Sequence, residues 1–87
     1  MHAVVVRATI HDEETATRLL REQVVPRVSQ APGFVAGYWT RKDNTGLSTI
    51  VFESEDAART AREQIQSPNS DAVTLDEVEV REVVAHA

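Results

Sequence analysis

Four side chains of this 87-residue sequence have types and spacing that bring chemistry into view: His11, Tyr38, Trp39 and Arg41. His11 is the only histidine away from a terminus, and an imidazole titrates near neutral pH and can accept a proton. Tyr38 and Trp39 offer flat π surfaces for stacking, and Arg41 offers a guanidinium to an anionic group. Against this stands a plainer reading. His11 and Asp12 lead into a helix, Arg41 is a solvated turn residue, and an aromatic in a strand is more often core than a cofactor contact. A metal site built from His2, His86 and Glu53 is imaginable at one end of the sheet, but fraying termini explain the two histidines better. No metal site and no cofactor is expected. The absence of cysteine removes disulfides, thiolate catalysis and Cys-ligated metals. With only Gly33, Gly37 and Gly46, no phosphate-cradling glycine motif exists.

The elements that position these residues are short and regular. Ala3 to Ile10 is β-branched and reads as a strand, with Val4, Val6, Ala8 and Ile10 facing a core. Asp12 is placed to cap a helix from Glu13 to about Gln30, whose apolar stripe is Ala16, Leu19, Leu20, Val24 and Val28. Pro26 lies inside that stripe and predicts a kink or an early end. "GFVAGYWTR" and "GLSTIVFE" read as two strands joined by the turn "KDNTG". Ser54 caps a second helix with Ala57, Ala58, Ala61 and Ile65 inward, a stripe that allows close approach but supplies little volume. "SPNSD" is a polar loop, and "VTLDEVEVREVVA" closes the chain as a strand alternating about Val78 and Val80.

That order is the split βαβ pattern: one ferredoxin-like α+β domain over residues 1–87, βαββαβ. It implies a four-stranded antiparallel sheet with two helices on one face. Right-handed crossovers put the first and third strands at the centre. His11 and the Tyr38–Arg41 segment then emerge at the same end of the sheet. Adjacent Tyr38 and Trp39 must point to opposite faces, and the parity of their strand is ambiguous. Phe34, Ala36 and Tyr38 form one row; Val35, Gly37 and Trp39 form the other. Gly37 either leaves room for a ligand or marks a bulge, the better reading.

The other face carries Val5, Arg7, Thr9, Leu47, Thr49, Val51, Glu77, Glu79 and Arg81. Apolar centres with a charged flank predict a homodimer with sheets face to face, Arg7 joining a cross-strand ion-pair network. The net charge of −5 argues against nucleic acid and anionic membranes as partners. No apolar run approaches the ~20 residues of a membrane span. With no signal-peptide pattern at the start, a cytoplasmic protein is expected.

"APGFVAGYWTR", the polar turn, "STIVFESEDAA" and the following helix resemble the dimeric α/β-barrel superfamily, which includes the antibiotic-biosynthesis-monooxygenase-like proteins. The resemblance covers nearly the whole chain in element order. Its most specific parts are Pro32-Gly33-Phe34 opening a strand and Phe52-Glu53-Ser54 before an alanine-rich helix. It implies a barrel made of two sheets, with any pocket between the sheet and helices of each subunit. Members include cofactor-free oxygenases acting on polycyclic aromatics, haem-degrading enzymes, isomerases and proteins without known activity. The haem-degrading members use a histidine on the second helix, whereas "SEDAARTAREQIQ" has none. They place an asparagine in the first strand, where this chain has Val5, Val6 and Arg7.

Two functions follow. The first is a non-catalytic dimer that binds a small hydrophobic or aromatic molecule. The alternative is a cofactor-free monooxygenase-like or isomerase-like enzyme on a small aromatic substrate, with His11 shuttling a proton and Arg41 orienting an anion. A cavity between sheet and helices discriminates them: the enzyme reading gains from an enclosed space reached by His11 or an aromatic.

Overall fold

The computed structural model describes residues 1–65 and 71–87. Within them the chain runs β1 (His2–Ile10), α1 (Glu13–Leu19), a π-helical stretch (Leu20–Val24), α2 (Val25–Ser29), β2 (Phe34–Lys42), β3 (Thr45–Phe52), α3 (Glu55–Gln64) and β4 (Val73–Glu82). The expected loop at 67–71 lies, Asp71 apart, outside the described residues.

The four described strands form one sheet in the order β2-β3-β1-β4, and every neighbouring pair is antiparallel. β1 and β3 therefore sit at the centre, as two right-handed crossovers require. Val4, Val6, Ile50 and Phe52 are buried on the helix side together with Ala58 and Ala61 of α3. Phe34 packs edge-on against Phe52, with ring centroids 6.2 Å apart and planes at 77°.

Both N-caps form where the sequence places them. The Thr15 backbone N–H donates to Asp12 Oδ1 at 3.1 Å, and the Thr15 hydroxyl donates to Oδ2 at 2.9 Å. Those bonds, the backbone one first, hold the Asp12 carboxyl below its ordinary pKa. At α3, the Ala57 N–H donates to Ser54 Oγ at 3.1 Å. Gly33 adopts a positive φ of 79°, and a Cβ there would lie 2.8 Å from that of Ala57. Glycine thus allows both the turn and the tight seat of α3.

Pro26 does not end the helix. The helical segment continues to Ser29, and the adjustment lies upstream as the π-helical stretch, where the Val25 N–H bonds to the Leu20 carbonyl five residues back. A proline ring clashes with the carbonyl four residues earlier, here that of Glu22. Widening the turn lets the helix pass this obstacle. Val24 is half-buried and Gln23 exposed, as the apolar stripe read from the sequence expects.

Strict alternation fails in both edge strands. A register irregularity between Phe34 and Ala36 puts Phe34 on the helix side with Gly37 and Trp39, rather than in a row with Ala36 and Tyr38. A second irregularity pairs Arg7 with Glu77 but Ala8 with Leu75, leaving Asp76 as the extra residue. The Thr9 hydroxyl donates to Asp76 Oδ2 at 2.7 Å, fixing that bulge. Its consequence is that Leu75 and Val78, three apart in sequence, both face the helices.

Candidate functional site

The register of β2 settles the aromatic pair. Trp39 pairs with Ser48 and Gly37 with Ile50, so both lie on the helix side. Tyr38 pairs with Thr49 on the opposite face and is 67% exposed. A Cβ on Gly37 would lie 2.8 Å from Trp39 Cη2 and 2.9 Å from Cζ3. The indole therefore rests over bare backbone, which is what Gly37 provides.

Beside that indole lies a cavity of about 380 Å³, bounded by the sheet and by the helical segment before β2 and open to solvent on one side. Its floor is made of small residues: Ala8, Gly46 and Ser48, with Ile50 and Trp39 toward the centre. Its roof is Ala16, Leu20, Val24 and Val28, and Leu75 closes the side facing β4. The cause is local. Ala8, Gly46 and Ser48 present almost no side-chain volume, and the roof's Ala16 does not make up the difference. Ser48 makes no side-chain hydrogen bond among the described residues, leaving its hydroxyl as a polar group on an otherwise apolar floor.

Of the four residues singled out from the sequence, the cavity collects two. Trp39 and Arg41 line it. Arg41 forms an ion pair with Glu13 of α1, joining the first helical segment to β2. Tyr38 belongs to the open sheet face. His11 is exposed and does not line the cavity; its Nε2 lies 2.8 Å from Thr74 Oγ1, and its backbone N–H donates to the Ala72 carbonyl.

The terminal histidines do not meet. His2 pairs across the sheet with Glu82, and its Nε2 lies 3.3 Å from Glu55 Oε2, while His86 lies beyond β4. Glu55, not Glu53, is thus the carboxylate that the His2 ring reaches. No cluster of three or more metal-ligating side chains occurs among the described residues.

Arg21 and Ser48 line the cavity without having been marked in the sequence. Alternation already put Ser48 beside Ile50 on the helix side, so its signal was present. Arg21 sits within the π-helical stretch, which α spacing does not announce.

On the open face Arg7 Nη1 lies 3.6 Å from Glu77 Oε2, and Arg81 reaches Glu79 at 2.7 Å and 2.9 Å. Leu47 on central β3 and Tyr38 on edge strand β2 are exposed large apolar residues of that face. No described helix is long and apolar enough to cross a membrane.

Element order, sheet topology and the placement of the helices define a ferredoxin-like α+β domain. No family model matches the chain, and no curated protein matches it. A solved structure does: the haem-degrader MhuD from Mycobacterium tuberculosis, with two haems bound in its active site. The two share a TM-score of 0.54 and 18% identity over 97% of this chain and 98% of that one. At that identity the likeness establishes the fold, which is the one implied by the resemblance to the dimeric α/β-barrel superfamily.

Proposed function

We infer that this protein binds a small hydrophobic or aromatic molecule between its sheet and its first helical segment, without catalysing a reaction on it. The observation that carries this reading is the cavity of about 380 Å³ walled by aliphatic side chains and the Trp39 indole. That size lies within the range of small-ligand sites, and the composition suits an apolar body. Trp39 reaches the cavity, as the enzyme reading asks, but the cavity is open to solvent rather than enclosed, and against catalysis stands the kind of ionisable group lining it. Among the described residues these are the guanidiniums of Arg21 and Arg41, which do not accept protons at physiological pH. His11, the proton acceptor of the enzymatic alternative, is directed to Thr74.

Haem, which the solved neighbour degrades, does not fit this cavity as an iron-ligated cofactor. Among the described lining residues there is no histidine, methionine, tyrosine or cysteine to bind the iron. His2 is engaged with Glu55 and His11 with Thr74.

The open sheet face supports a homodimer. Tyr38 and Leu47 are exposed beside half-buried Val5, Thr49 and Val51, flanked by the Arg7–Glu77 pair. An apolar centre with a charged rim is the composition of an interface. Sedimentation equilibrium should give twice the chain mass, and the Tyr38→Asp/Leu47→Asp variant should give one. A wild-type monomer at micromolar concentration defeats the dimer.

Trp39 is the only tryptophan in the chain, so ligand binding can be read from its fluorescence. Titration with 3-phenyl-1-propanol, a neutral probe, should shift its emission saturably. The cavity-filling variant Ala16→Trp, monitored by thermal shift because it adds a second indole, should lose the stabilisation that the probe gives the parent. If neither this alcohol nor larger flat hydrocarbons change emission or melting, the binding reading is wrong.

A further inference from the structure

We propose that the molecule held in this cavity is an apolar acid, its aromatic or aliphatic body against Trp39, Leu20 and Val24 and its carboxylate at the rim between Arg21 and Arg41. The proposal rests on the reading of the cavity as a binding site and adds the chemical class of its occupant.

The charge at the rim runs against that of the whole chain. With a formal net charge of −5, the protein nonetheless lines its cavity with two arginines and, among the described residues, no carboxylate. Arg41 is paired with Glu13, whose carboxylate comes from the first turn of α1 and is not itself a lining group. Arg21 makes no ion pair among the described residues. It also borders a shallow groove on the outer side of the helix with Glu13, Glu14, Arg18 and Glu22, so acidic groups are near it without being fixed to it.

A guanidinium binds a carboxylate through paired, charge-assisted N–H donors. An incoming carboxylate would take the place of Glu13 on Arg41 and give Arg21 a fixed partner. Glu13 is exposed and returns to water when displaced, so the exchange strands no buried charge. A neutral ligand of the same shape would leave the Arg41–Glu13 pair in place and gain nothing from Arg21. The Ser48 hydroxyl is a further polar group on the floor, suited to a ligand oxygen deeper in the cavity.

A matched pair of probes tests this: 3-phenylpropionate and 3-phenyl-1-propanol, which differ in the carboxylate and share the apolar body. Isothermal titration of each into the full chain at low salt should give at least tenfold tighter binding of the acid. That ratio should shrink as salt rises, because the rim is open to screening. In the Arg21→Gln/Arg41→Gln variant it should approach one. In Glu13→Gln the acid should bind severalfold tighter than to the parent, because Arg41 loses its internal competitor. Equal binding of the two probes, tighter binding of the alcohol, or a ratio retained in the double arginine variant overturns the proposal and leaves the binding reading intact. Binding of neither probe overturns the proposal, and with failure of the larger flat hydrocarbons it overturns the binding reading as well.

Discussion

The two helical segments lie on the same sheet face and treat it in opposite ways. α3 buries Ala58 and Ala61 against Val4, Ile50 and Phe52, and its start touches Gly33 closely enough that a Cβ there would collide with Ala57. The segment from α1 to α2 has no buried residue, although it carries the larger side chains Leu19, Leu20, Val24 and Val28. Side-chain size alone would suggest the reverse. What decides is complementarity. Alanines lower α3 onto the large floor residue Phe52, while the first segment stands over Ala8, Gly46 and Ser48, which have little to offer it. Packing therefore concentrates beneath α3, and open space beneath the first segment.

Truncation should expose this difference most strongly. Phe52 is fully buried and meets Phe34 edge-on, so Phe52→Ala should cost about 3–5 kcal/mol in urea unfolding. Leu20→Ala, above space that already exists, should cost on the order of 1 kcal/mol. Comparable losses at the two sites would erase the distinction. Enlargement is the converse. Ala58→Leu should destabilise by about 1–3 kcal/mol through overpacking, because Ala58 is fully buried against the core. Ala16→Leu should be neutral or stabilising by ~0.5–2 kcal/mol, as cavity-filling changes often are. Should Ala16→Leu destabilise as much as Ala58→Leu, no usable space lies under the first segment.

The helix caps sharpen the comparison with smaller effects. Ser54→Ala should cost about 1 kcal/mol, and the cap itself is a neutral hydroxyl with no charge to titrate. Asp12 caps through a carboxylate whose folded pKa is lowered, so its contribution is present above the ordinary aspartate pKa. It is lost as pH falls through the lowered folded value. The stability difference between the parent and Asp12→Ala should thus be full at neutral pH and fade in acid, as read from urea midpoints. A pH-independent difference would mean that the carboxylate charge is not what caps α1.

Most of the fold was legible because it rests on local signals. The strand order, both N-caps, the alanine stripe at Ala58 and Ala61 and the helix-side residues Val4, Val6, Ile50 and Phe52 follow from period and capping chemistry. The departures arise where one residue is added to a regular repeat. The bulge near Phe34 decides which face Trp39 takes, and the bulge at Asp76 brings Leu75 to the same side as Val78. Both depend on pairing with a neighbouring strand, which no local pattern contains. The π-helical stretch has a readable cause in Pro26, but the proline alone does not say whether the chain kinks, stops or widens. The cavity was the hardest feature to foresee. It depends on Ala8, Gly46 and Ser48 meeting at one end of the floor from two strands far apart in sequence, and small residues leave no hydrophobic signature. Trp39 and Arg41 were visible as chemistry, whereas the partnership of Arg41 with Glu13 needed the tertiary structure.

The most direct test is a methyl NMR titration with 3-phenyl-1-propanol on Ala-, Ile-, Leu- and Val-labelled protein. Saturable shifts should appear at Leu20, Val24, Val28 and Leu75, with Ala58 and Ala61 unmoved. Shifts centred on Ala58 and Ala61, on Leu47 of the open face, or nowhere would contradict the assignment of the binding space to the first helical segment.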